Sequence, residues 1–139
     1  MKPAIWGMTG LALCLSGSVA FAHHSFAMFD AEKTIKLDGT VKEFLWTNPH
    51  TWIVMSVKNA QGAEEQWAIE MGGPAGLARD GWSPTTLTPG MNVSALIHPL
   101  RDGSRGGQFM VITLPDGSQK GNANARPGSD AGGLPALPY

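Results

Sequence analysis

The sequence is short of the features that usually fasten or address a small domain. Its single cysteine, Cys14, lies in the leading apolar stretch, so no disulfide can staple the rest of the chain. Charge is sparse and balanced, with ten Lys and Arg against eleven Asp and Glu and a formal net charge of −1. Such a chain has no electrostatic footprint for nucleic acid or an anionic membrane surface, and no nucleic-acid partner is expected. No apolar run reaches the ~20 residues that a membrane span requires. Internal repeats are absent, as are a Ser-His-Asp constellation and a nucleophile elbow, so nothing in the motifs assigns an enzymatic reaction.

What is present begins with an export signal. Lys2 gives the leading end a positive charge, Ile5 to Leu15 supplies a short apolar core, and Ala20-Phe21-Ala22 is an A-x-A cleavage pattern. Residues 1–22 are therefore predicted to be a signal peptide, with a periplasmic or secreted product that keeps no membrane anchor after cleavage. Leu13 stands before Cys14 where a lipoprotein site wants a small residue, which argues against lipidation. Cleavage after Ala22 exposes His23. A cut after Ser18-Val19-Ala20 would instead place His23 third in the mature chain.

Beyond the leader the dominant hydrophobic period is two. Thr34 to Trp46 reads as a first strand with a bulge or bend at Gly39, and His50 to Val57 as a second after the Thr47-Asn48-Pro49 turn. Glu65 to Met71 reads as a third strand after Asn59-Ala60-Gln61-Gly62. Gly72-Gly73-Pro74 breaks the pattern, Ala75 to Asp80 can form a short helix, and Gly81 can stop it. Met91 to Ile97 and Gln108 to Leu114 make strands four and five, separated by a Gly-rich loop from Arg101 to Gly107. Strand, strand, strand, short helix, strand, strand is the connectivity of an OB-fold, so the expected class is an all-β, five-stranded OB-like barrel. An immunoglobulin-like sandwich would need about seven strands and has no place for the helix. Residues 23–117 are assigned to the barrel and its N-terminal arm. Residues 118–139, rich in Gly, Pro, Ala and Asn without apolar periodicity, are assigned to a disordered tail.

Several short motifs recur together along this frame: Ala22-His23-His24-Ser25-Phe26, Gly39-Thr40-Val41, Trp46-Thr47-Asn48-Pro49-His50, Trp67-x-Ile69-Glu70, Gly81-Trp82, Pro89-Gly90 and Arg101-Asp102-Gly103. In these the chain resembles a family of small exported bacterial proteins of unknown function, over nearly the whole predicted barrel. Met91 stands where the resemblance implies an acidic residue. The resemblance implies an exported OB-like domain and no particular activity.

The chemistry must come from the residues. All four histidines lie beyond the leader: His23, His24, His50 and His98. An N-terminal His offers a metal both its α-amino and its ring nitrogen, and the amine loses its proton easily because its ordinary pKa is about 7.7–8.0. Imidazole suits copper, zinc and nickel, and the thioether of Met28 would favour Cu(I). His50 and His98 fall in the loops after strands one and four, which an OB-fold turns toward its ligand side. The eleven residues from His23 to Lys33 can cross a small domain at about 3.3 Å per residue. The four histidines are thus the candidate metal ligands, with copper the expected ion ahead of zinc or nickel. The alternative is a metal-free OB-like module that binds another exported protein or a small ligand. Trp46, Trp52, Trp67 and Trp82 read chiefly as core. The carboxylates Glu43 and Glu70, and the guanidinium groups Arg101 and Arg105, read as surface charge.

Overall fold

The computed structural model describes residues 26–121. After a 3-10 turn at Phe26–Met28 come strands β1 (Ile35–Leu45), β2 (Trp52–Lys58) and β3 (Glu64–Glu70). Helix α1 (Pro74–Arg79), β4 (Asn92–Pro99), β5 (Gly106–Thr113) and β6 (Gln119–Gly121) complete the order.

Strand β1 is long enough to serve two neighbours. Its second half pairs antiparallel with β2 (Val41 opposite Met55) and its first half with β4 (Ile35 opposite Ile97). The bulge falls between Val41 and Glu43, not at Gly39. Gly39 serves a different need, because a Cβ there would stand 2.2 Å from the Ser56 carbonyl oxygen. Strands β2 and β3 form a hairpin whose turn is held by Asn59, with its Oδ1 accepting from the amides of Gln61 and Ala63. The barrel closes where β3 meets β5 in parallel, with Ala68 opposite Gly106, Ile69 opposite Gly107 and Glu70 opposite Gln108. Five strands with one helix between β3 and β4 make the OB-like barrel.

Alternation along each strand puts one side chain in two inside. Val41, Ile53, Met55, Ile69, Ala95, Ile97, Phe109 and Ile112 are all wholly buried, and full burial of such a side chain stabilises by roughly 1.5–3 kcal/mol. Helix α1 starts on Pro74, which needs no amide partner in the first turn, and sends Leu77 into the barrel end. Gly81, at φ 79°, reverses the chain so that Trp82 follows Leu77 inward and meets Phe109 edge-on, with ring centroids 5.5 Å apart. Trp46 and Trp67 pack partly buried against the same core.

Two features differ from the sequence reading. Gly106 and Gly107 belong to β5 and not to the preceding loop. Their lack of side chains lets β5 lie close to both neighbours, since a Cβ on Gly107 would lie 2.5 Å from the His98 carbonyl oxygen of β4 and one on Gly106 would lie 3.1 Å from the Ala68 carbonyl oxygen across the closing seam. A sixth strand also begins within the segment assigned to the tail, with Gln119 opposite Thr113 and Gly121 opposite Val111. Gly121 accepts the indole N–H of Trp82 at 3.3 Å. Among the described residues no helix is long and apolar enough to cross a membrane.

Candidate functional site

One rung of the barrel wall gathers the polar residues of interest. Trp52 of β2 pairs with Glu70 of β3, Glu70 with Gln108 of β5, and Gln108 with His98 of β4. Their sequence neighbours Ile53, Ile69, Ile97 and Phe109 fill the core, so alternation turns this rung to the outside. Neighbouring strands lie ~4.8 Å apart, which places the Glu70 and His98 backbones on the order of 10 Å from each other. Gln108, which stands between them, carries no signal in the sequence that would mark it.

His50 joins this rung from the loop before β2. Its Nδ1 pairs with Glu70 Oε1, and the ring remains 40% exposed while the Glu70 side chain is only 11% exposed. The backbone around His50 is held on both sides. The Thr47 hydroxyl donates to the His50 carbonyl at 3.0 Å, and the Thr51 amide donates to the Gly72 carbonyl at 3.1 Å. Glu70 is therefore no surface charge. Glu43, in contrast, is exposed and sits opposite Val54 on another rung, so the two carboxyl groups do not form a pair.

His98 is 6% exposed, and its Nδ1 lies 2.8 Å from the Lys33 carbonyl oxygen. A carbonyl only accepts, so Nδ1 is the donor and carries a proton. The partner belongs to the N-terminal arm, which the end of β4 fastens at several points. The Asp30 amide donates to the Pro99 carbonyl at 2.8 Å, and the Arg101 amide to the Met28 carbonyl at 3.0 Å. Phe29 bridges to Leu100 and is buried to 5% exposure. Arg101 Nε donates to the carbonyls of Ala27 and Phe29, each at 3.1 Å. Arg105 instead donates to Glu65 at 3.0 Å. The two arginines thus have separate structural partners and are not free surface charge.

The Arg105 guanidinium, with Asn59 adding a second hydrogen bond, holds the Glu65 carboxyl below its ordinary range. A hydrogen bond from the Ser94 hydroxyl does the same for Asp38 on the opposite wall. Among the described residues no group of three or more His, Cys, Asp or Glu side chains is placed to hold a metal ion. His23 and His24 lie outside the described residues, as do the leader and residues 122–139. The structure therefore places His98 on the same rung as Glu70, two strands away through Gln108, and His50 against the Glu70 carboxyl group.

A family match covers residues 12–109, a span that takes in all four histidines, the Glu70 pairing and the arm. The chain belongs to the Family of unknown function (DUF6152). Strand β6 lies beyond the matched span of DUF6152. No curated protein matches the chain significantly. Among solved structures, the chain is similar to the mitochondrial single-stranded DNA binding protein Rim1 of S. cerevisiae, at 13% identity and a TM-score of 0.44. That similarity covers 64% of this chain and 96% of the yeast protein.

Proposed function

We propose that this chain is an exported OB-barrel domain that binds a transition metal ion, copper fitting the donors best, through its mature N-terminal histidines and His50. The observation that supports the reading is the fastening of the arm. Residues 27–30 are tied to the end of β4 by backbone bonds, by Arg101 and by the buried Phe29 ring. His24 and His23 are three and four residues from Ala27, and at most 3.6 Å per residue keeps them within about 11 and 14 Å of its Cα. On this reading the arm is the tether that would carry both histidines toward His50.

The donor chemistry is coherent. His23 at a new terminus offers an amine and a ring nitrogen, His24 a second ring, and His50 an accessible imidazole. Met28, 39% exposed at the base of the arm, adds a thioether suited to Cu(I). His98, buried and bound to Lys33, seats the arm.

The test is metal analysis and Cu(II) titration of protein exported from the full-length chain, with the N-terminus verified by intact mass. Near-stoichiometric copper is expected. Binding should weaken sharply in His23→Ala, in His50→Ala, and in a version carrying one extra residue ahead of His23. Equal binding by the extended version would refute the terminal chelate.

A further inference from the structure

We infer that Glu70 is a positioning residue for His50, fixing the proton on Nδ1 so that Nε2 is the ring's outward lone pair; as a metal-site role this rests on the function proposed above. Glu70 occupies the last position of β3 and is paired on both sides, to Trp52 and to Gln108. Its backbone is consequently held in place, and burial of the side chain to 11% exposure makes a hydrogen-bonding partner for the carboxyl group obligatory. His50 Nδ1 is that partner. The two ring nitrogens of a neutral imidazole divide the roles of donor and acceptor, so a proton held at Nδ1 leaves Nε2 free to coordinate. Histidines that ligate metals commonly show this arrangement, with the second nitrogen donating to a carboxylate or a carbonyl.

His98 supplies the contrast. It uses Nδ1 in the same way against the Lys33 carbonyl, but with 6% of the residue exposed it lacks the access that His50 has. Two acceptors, a buried carboxylate and a backbone carbonyl, thus each hold an Nδ1 proton, and only the His50 ring opens to solvent.

The decisive measurement is made on the metal-free, full mature chain with 15N-labelled histidine. Long-range proton–nitrogen correlation at pH 8.5 reads which nitrogen of His50 is protonated. The proton is expected on Nδ1 in the wild type and in Glu70→Gln, which keeps an accepting oxygen, and the preference should be lost in Glu70→Leu. Zinc or copper affinity should fall about 10–100-fold in Glu70→Leu and less in Glu70→Gln. A wild-type His50 protonated on Nε2 would overturn the assignment, and so would a Glu70→Leu variant with unchanged tautomer. Should the Leu variant fail to fold, the wild type and Glu70→Gln still decide the matter. Absence of metal binding by the wild type would refute the metal reading, and the tautomer is read independently of it.

Discussion

His98 Nδ1 donates to the carbonyl of Lys33 across 2.8 Å, joining the end of β4 to the arm 65 residues earlier in the chain. The bond is part-buried, with the ring covered and Lys33 exposed. His98→Ala should lower stability by about 1 kcal/mol or more, because the hydrogen bond is lost together with a buried ring. Urea unfolding measures this. Arg101→Ala should act on the arm alone, raising hydrogen exchange at the Asp30 amide, which donates to Pro99, while the amides of Ile53 and Ile69 stay protected. Unchanged Asp30 exchange in both variants would mean that these contacts do not hold the arm.

Two glycines should respond to alanine with opposite signs. Gly39→Ala drives a Cβ against the Ser56 carbonyl oxygen at 2.2 Å, and backbone on both sides cannot yield cheaply. A loss of about 1–3 kcal/mol is expected from the forced shift. Gly76, inside α1, has nothing within 4 Å of a new Cβ, and alanine there should stabilise by up to ~1 kcal/mol through helix propensity. Thermal unfolding of the pair of variants checks both signs.

Acid should weaken the fold through carboxyl groups whose pKa is lowered by folding. Glu65 is lowered chiefly by the hydrogen bond from Arg105, and Asp38 chiefly by that from Ser94. A group with a depressed folded pKa contributes fully above its unfolded value, about 4.3 for Glu and 3.9 for Asp. That contribution is lost as pH falls through the lower folded value. The urea midpoint should therefore drop between roughly pH 5 and pH 2, and Glu65→Gln should flatten part of the drop. An identical pH profile in the variant would show that this pair does not couple to folding.

Much of the barrel is legible because a one-residue slip in any of β1 to β5 would turn Val41, Ile53, Ile69, Ile97 or Phe109 out to water. What escapes the pattern has a physical reason in each case. Strand β6 consists of Gln119, Lys120 and Gly121, with no apolar side chain to show a period; backbone pairing and the Trp82 indole hold it. Gly106 and Gly107 resemble loop residues by composition, yet they are where two strands approach too closely for a side chain. The candidate site divides the same way. Histidines are conspicuous in a sequence, and the loop position of His50 follows from the strand order, whereas His98 lies inside β4 and not in the loop after it. The partnership of His50 with Glu70 requires the end of β3 to lie beside the start of β2 in a specific register, and that is set by the turn at Asn59 to Gly62.

The parallel seam between β3 and β5 also governs how the molecule comes to be. Every other large strand pairing in the barrel is antiparallel; this one joins segments about forty positions apart and, like the still more remote pairing of β1 with β4, must meet the entropy of a long loop before it returns any contact. Assembly is then limited by an encounter between remote segments, the regime of β-proteins that fold in about milliseconds to seconds. Until that encounter, one edge of β3 and one of β5 are open to strands from other chains. Dilution during folding, more than any single side chain, should determine whether the seam is made within a molecule or between two.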